Sequence, residues 1–115
     1  MHMPIHIPEK IINKTTLSGK GDTIYLKGEI DDVDPGVILT PFFDLAKDQM
    51  DDIIRIDFTG LEFLNSSGIK CIVSFVMDKK PGSKITFITD QGKTWQKTSL
   101  EVIQSLDEDN ISIEE

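Results

Sequence analysis

Between Ile53 and Val76 the hydrophobic pattern changes period, and that change limits what this chain can become. Residues 52–58 are dense in isoleucine and read as a central strand covered on both sides. Ile69, Ile72, Val73, Val76 and Met77 then recur at helical spacing, with Lys70, Ser74 and Asp78 on the opposite face. A strand followed directly by an amphipathic helix is half of a βαβ unit, and its helix needs a sheet to cover. Between the two lies Asn65-Ser66-Ser67-Gly68, where the helix should begin. A hydroxyl there can cap the helix, and the helix end would also tolerate a phosphate carried on it. The candidate site is therefore this tetrapeptide.

The remaining chain supplies partners for that unit. Pro4 and Pro8 suggest a flexible arm over residues 1–10, followed by one domain over residues 11–115. A first strand is expected from about Ile11 to Leu17 and a turn over residues 18–22. A second strand runs from Thr23 to Ile30, with Ile24, Leu26 and Ile30 on one face. Pro41 suits a first helical position, which predicts a helix from Pro41 to about Met50 capped by Thr40 and burying Phe42, Leu45 and Ala46. Pro81-Gly82 stops the second helix. Another strand is expected over Lys84–Thr89. Thr98 and Glu101 have capping-box spacing and predict a third, short helix, and Ile111–Ile113 a last strand. The order ββαβαβαβ implies an α/β fold, a mixed, mostly parallel sheet with an antiparallel N-terminal hairpin and helices packed against it.

The chain has 115 residues, one core's worth, and a formal net charge of −8. That charge argues against nucleic acid as a partner. Residues 29–52 hold eight acids and one base, and residues 101–115 hold six acids and no base. Such surfaces select positively charged protein partners. No apolar run reaches the ~20 residues of a membrane span, and no signal peptide is evident, so a cytoplasmic location and no membrane partner are expected. The single cysteine, Cys71, reads as a small apolar side chain. No cofactor or metal motif is present.

Three segments in order resemble the STAS domain, the fold of anti-sigma-factor antagonists and stressosome scaffold proteins. They are Leu26-Lys-Gly-Glu-Ile-Asp31, Ile54-Arg-Ile-Asp-Phe-Thr-Gly-Leu-Glu-Phe-Leu64 and Asn65-Ser-Ser-Gly-Ile69. The resemblance covers roughly residues 14–113. It implies a non-enzymatic regulatory module that binds an anti-sigma factor which is also a serine kinase, with phosphorylation switching the binding and a phosphatase restoring it. By the same resemblance Ser67 is the phosphoacceptor, with Ser66 in reserve. Asp31, Asp32, Phe63, Asn65, Ser66, Ser67, Gly68 and Ile69 would form the partner-binding face. The family's usual aspartate before the serines is Asn65 here, which keeps the hydrogen-bonding shape and loses the charge. Homodimerisation stays open.

Other readings use other residues. A serine hydrolase would need a histidine base, and the only histidines are His2 and His6. A phosphorelay receiver would use Asp31, Asp32 and Asp57 around Mg²⁺, but their spacing is about half the usual length. A non-switching STAS scaffold or small-ligand sensor is the remaining alternative.

Overall fold

The computed structural model describes residues 4–50 and 52–115. The elements are β1 (Ile5–Ile12), β2 (Thr15–Gly21), β3 (Thr23–Ile30), α1 (Gly36–Gln49), β4 (Ile53–Asp57), β5 (Leu61–Leu64), α2 (Ser66–Met77), β6 (Lys84–Ile88), α3 (Thr94–Gln104) and β7 (Ile111–Glu114). One sheet runs β1-β2-β3-β4-β6-β7, with β5 paired to β3. The β1–β2 and β2–β3 pairs are antiparallel, and the pairs from β3 onward are parallel. Every expected strand and helix has a counterpart, and two strands are added. No helix among the described residues is long and apolar enough to cross a membrane.

The first added strand corrects the expected N-terminal arm. Ile5 and Ile7 are buried and pair with Gly21 and Gly19. Pro8 fits because β1 is an edge strand and the register shifts between Ile7 and Lys10. A proline at an edge bulge removes no needed ladder bond. The expected first strand over Ile11–Leu17 spans the end of β1, a turn at Asn13 and Lys14 and the start of β2, and in that turn Asn13 takes φ +55. Asparagine tolerates this left-handed conformation. The next turn narrows to Gly21 and Asp22, with Gly21 at φ +67. Met1, His2 and Met3 lie outside the described residues.

Helix α1 begins five residues before the expected start and runs through Pro41. Proline forfeits the bond to the carbonyl four residues earlier, that of Val37. Pro41 and Val37 are both exposed, so water can serve that carbonyl. Phe42 and Ala46 face the core as expected, but Leu45 is exposed. In α3 the capping box is absent. The helix starts at Thr94, and Thr98 lies inside it with its hydroxyl turned back to the Thr94 carbonyl.

The central strand is covered on one side, not two. Ile24, Ile56 and Phe87 align across β3, β4 and β6 and are fully buried, as are Ile54 and Ile85 in the adjoining row. The residues between them, Tyr25, Arg55, Asp57, Thr86 and Ile88, remain partly exposed, and Ile53 is exposed. Each crossover moves the chain in the same direction along the sheet. Right-handed connections therefore place all three helices on one face. Phe43 of α1 stacks on Phe75 of α2 at 4.7 Å, and Phe58 meets Phe87 edge-on at 5.6 Å. Burying each such side chain contributes about 1.5–3 kcal/mol.

Candidate functional site

Two devices bring the start of α2 to its place. At Gly28, β3 changes partner from β4 to β5, and the register shifts there. Gly28 has φ +89, and a Cβ on it would lie 2.1 Å from the Lys14 carbonyl oxygen. Only glycine fits this conformation and approach. The second device is Gln96 of α3, which is fully buried. Its amide nitrogen donates to the carbonyls of Phe58 (2.6 Å) and Leu61 (2.9 Å), and its oxygen accepts from the Asp90 N–H (2.9 Å). It thereby staples the β4–β5 turn to the third helix. Sequence reasoning missed Gln96, because a glutamine in a polar helix carries no local mark of burial.

Beyond β5 the chain enters α2. The cap is Asn65, whereas the sequence suggested a serine hydroxyl. The Asn65 Oδ1 accepts from the Gly68 N–H at 2.8 Å, and its Nδ2 donates to the Asp32 carbonyl at 2.8 Å. One side chain thus ties the helix to the acidic turn after β3. That turn is held from its other side as well. Asn13 Nδ2 donates to Asp32 Oδ2 at 2.7 Å, and Lys14 Nζ pairs with Asp31 Oδ2 at 2.9 Å. The Asp31 carboxylate raises the Lys14 ammonium above its ordinary pKa through the hydrogen bond and the charge. Asp32 Oδ1 is buried and accepts no bond among the described residues. A buried acceptor left so costs about 1–3 kcal/mol, and such debts gather at sites that do something other than pack.

With the cap made by Asn65, the serine hydroxyls are left over. Ser66 is exposed and Ser67 half-buried, and neither hydroxyl makes a hydrogen bond among the described residues. Their backbone N–H groups stand at the first two positions of α2, where a helix has no internal acceptor to offer. Gly68 is buried, so it presents no surface for a partner to approach. A Cβ there would fall 2.6 Å from Leu64 Cδ1 and 3.0 Å from Ile30 Cγ2. Its smallness serves helix-to-sheet packing. Ile69 is likewise half-buried against the core. Phe63 is 47% exposed, while its neighbour Leu64 is buried.

Other candidates are occupied elsewhere. Both the N–H and the hydroxyl of Thr59 donate to Asp57 Oδ1, at 2.8 and 2.6 Å. His6 lies on the edge strand β1, its N–H bonded to Gln49 Oε1. Cys71 faces Gly36 of α1, and burial, with the Asp34 charge behind it, pushes its thiol above the ordinary pKa. The thiol therefore stays protonated at neutral pH, the unreactive form.

No protein-family model matches the sequence, and no curated protein does. The fold does match solved structures. One is the crystal structure of an anti-sigma factor antagonist from Mycobacterium paratuberculosis, at TM-score 0.61 over 86% of this chain and 79% of that one, with 16% sequence identity. The fold is STAS-like. In this STAS-like arrangement the acidic turn after β3 and the cap of α2 form one hydrogen-bonded corner at the carboxyl ends of β3 and β5, with the two serines beside it. Asp31, Asp32, Asn65, Ser66 and Ser67 come together there. Gly68 and Ile69 lie beneath the corner, and Phe63 lies on the strand leading into it.

Proposed function

We propose that this chain is a non-enzymatic regulatory binding module of the anti-sigma-factor-antagonist type, whose partner docks on the corner formed by Asp31, Asp32, Phe63, Asn65, Ser66 and Ser67. The partner is a serine kinase of the anti-sigma-factor kind. Phosphorylation of Ser67, with Ser66 as the second acceptor, releases it, and a phosphatase restores binding. One observation carries the reading: Asn65 does the capping, so the serine hydroxyls have no structural duty and stand free for modification.

The physics of such a switch is direct. A phosphate on Ser67 adds a charge of about −2 beside N–H groups that lack acceptors, so α2 can hold it without unwinding. The cost falls on the interface. A partner fitted to the unmodified serines meets extra charge and its hydration, and a loss of about 3 kcal/mol weakens binding more than a hundredfold. Gly68 and Ile69 then act from below, by fixing where the helix begins.

The test is to capture the partner from the native cell with the unmodified chain and incubate the complex with labelled ATP. The reading expects label on the parent chain, none on Ser67→Ala, and release of the labelled chain from the partner. Label that persists on the double variant Ser66→Ala/Ser67→Ala would remove the site from consideration.

A further inference from the structure

Away from the serine corner, β1 and α1 leave a groove between them. They run antiparallel, with the His6 N–H tied to Gln49 near one end. Its walls are Ile7, Pro8 and Ile12 from β1 and Val37, Pro41 and Leu45 from α1, over a floor that includes Leu17 and Phe42, and it encloses about 400 Å³. That volume lies within the range of small-molecule sites, roughly 300–1,000 Å³.

The groove has identifiable causes. Val37, Pro41 and Leu45 stand four residues apart and form one stripe along α1. The stripe is uncovered: Val37 is 72% exposed and Leu45 49%. On the other wall, the register shift between Ile7 and Lys10 interrupts the pairing of β1 with β2 beside the groove. An apolar stripe left in water costs stability, and neither the sheet nor the serine corner requires it. From Val37 to Leu45 the stripe is about 12 Å long at the α-helical rise.

The shape decides among occupants. The groove is concave, so the same groove on a second copy cannot fill it, and a two-fold dimer across it would enclose a void. A slender aliphatic chain fits. Only Glu9 and Lys10 among the lining residues are charged. Lys10 makes no ion pair among the described residues, and the first turn of α1 carries no acid. Glu9 beside it and Asp34 before α1 offset Lys10 in net charge, but Lys10 is the one cation of the lining and so the group to which a carboxylate head can bond. We infer that the β1–α1 groove is a binding site for a single-chain aliphatic carboxylate, with the chain along Val37, Pro41 and Leu45 and the head on Lys10.

Sodium laurate, titrated into the chain below its micellar concentration and followed by calorimetry and by amide chemical shifts, tests this. One molecule is expected to bind per chain, with shifts confined to β1 and α1. Leu45→Glu, an exposed position that leaves the fold intact, should weaken binding at least tenfold. Lys10→Gln should weaken laurate more than lauryl alcohol. Absence of saturable binding, equal affinity in Leu45→Glu, or a preference for dodecylammonium over laurate would each overturn the assignment. The Ser67→Asp variant should bind laurate as the parent does, which keeps this result separate from the fate of the serine switch.

Discussion

Replacing Gln96 with leucine tests what holds the β4–β5 turn under the candidate site. Leucine nearly preserves the volume and is a good helix former, so packing and propensity change little. The substitution removes the donors to the Phe58 and Leu61 carbonyls and the acceptor of the Asp90 N–H. The Phe58 carbonyl keeps the Leu61 N–H at 2.9 Å, so it is not orphaned. Three intramolecular bonds at a net of about 1 kcal/mol each give a loss of about 3 kcal/mol. Against a total of about 5–15 kcal/mol that loss is large, and it lowers the melting temperature by roughly 12 °C in a domain of this size. Urea denaturation followed by circular dichroism gives the free energy directly. Hydrogen exchange should also show residues 58–64 opening more readily than the rest of the sheet, since Gln96 bonds that segment. A loss below about 1 kcal/mol, or exchange that rises uniformly, would refute the argument that this glutamine positions the strand before the serines.

Other perturbations have expected outcomes of their own. Gly28→Ala combines a positive φ with a backbone clash and should cost about 3 kcal/mol or more, seen as a lower thermal midpoint. A nearly unchanged midpoint would mean that β3 has another way to change partner. Asn65→Ala loses the cap and the bond to the Asp32 carbonyl, about 2 kcal/mol together, while Asn65→Asp keeps the cap and should fall between. Equal stabilities for the two variants would deny the cap its part. The Lys79 ammonium, itself nearly buried, bonds the Asp107 carboxylate at 2.8 Å and holds its pKa below the ordinary value. A depressed carboxylate stabilises the fold above its unfolded pKa of about 3.9, and that contribution disappears as pH falls through the lower folded value. Asp107→Asn should therefore flatten the acid limb of stability against pH, and an unaltered limb contradicts the pairing.

Much of this fold was legible because its signals are local and periodic. The isoleucines of β4 and β6, the helical spacing of Ile69, Ile72 and Val76, and the alternation in β3 each report burial directly. Where local rules misled, tertiary context had supplied a substitute. Pro8 and Pro41 read as breakers, yet one sits at an edge bulge and the other on an exposed helix face, where a missing N–H does little harm. The dense isoleucine run suggested a strand covered on both sides. In the structure Ile53 is exposed, because the helices all lie on the other face. At the site, the change of period from strand to helix located the tetrapeptide, and the resemblance added the acidic turn. It could not divide labour within them, since an Asn-Ser-Ser run offers three capping candidates and only geometry chooses Asn65. The roles of Gly68 and Gln96 were out of reach because both depend on contacts with residues distant in sequence, Ile30 for the glycine and Phe58 for the glutamine.

The most direct measurement is a calorimetric titration of the captured partner with the parent chain, with Ser67→Ala and with Ser67→Asp, each paired with a thermal melt. The account predicts that Ser67→Ala binds about as the parent does, and that Ser67→Asp binds at least a hundredfold more weakly while its melting temperature stays within about 4 °C, or 1 kcal/mol. Undiminished affinity in Ser67→Asp, or affinity lost only because the domain has melted, contradicts it.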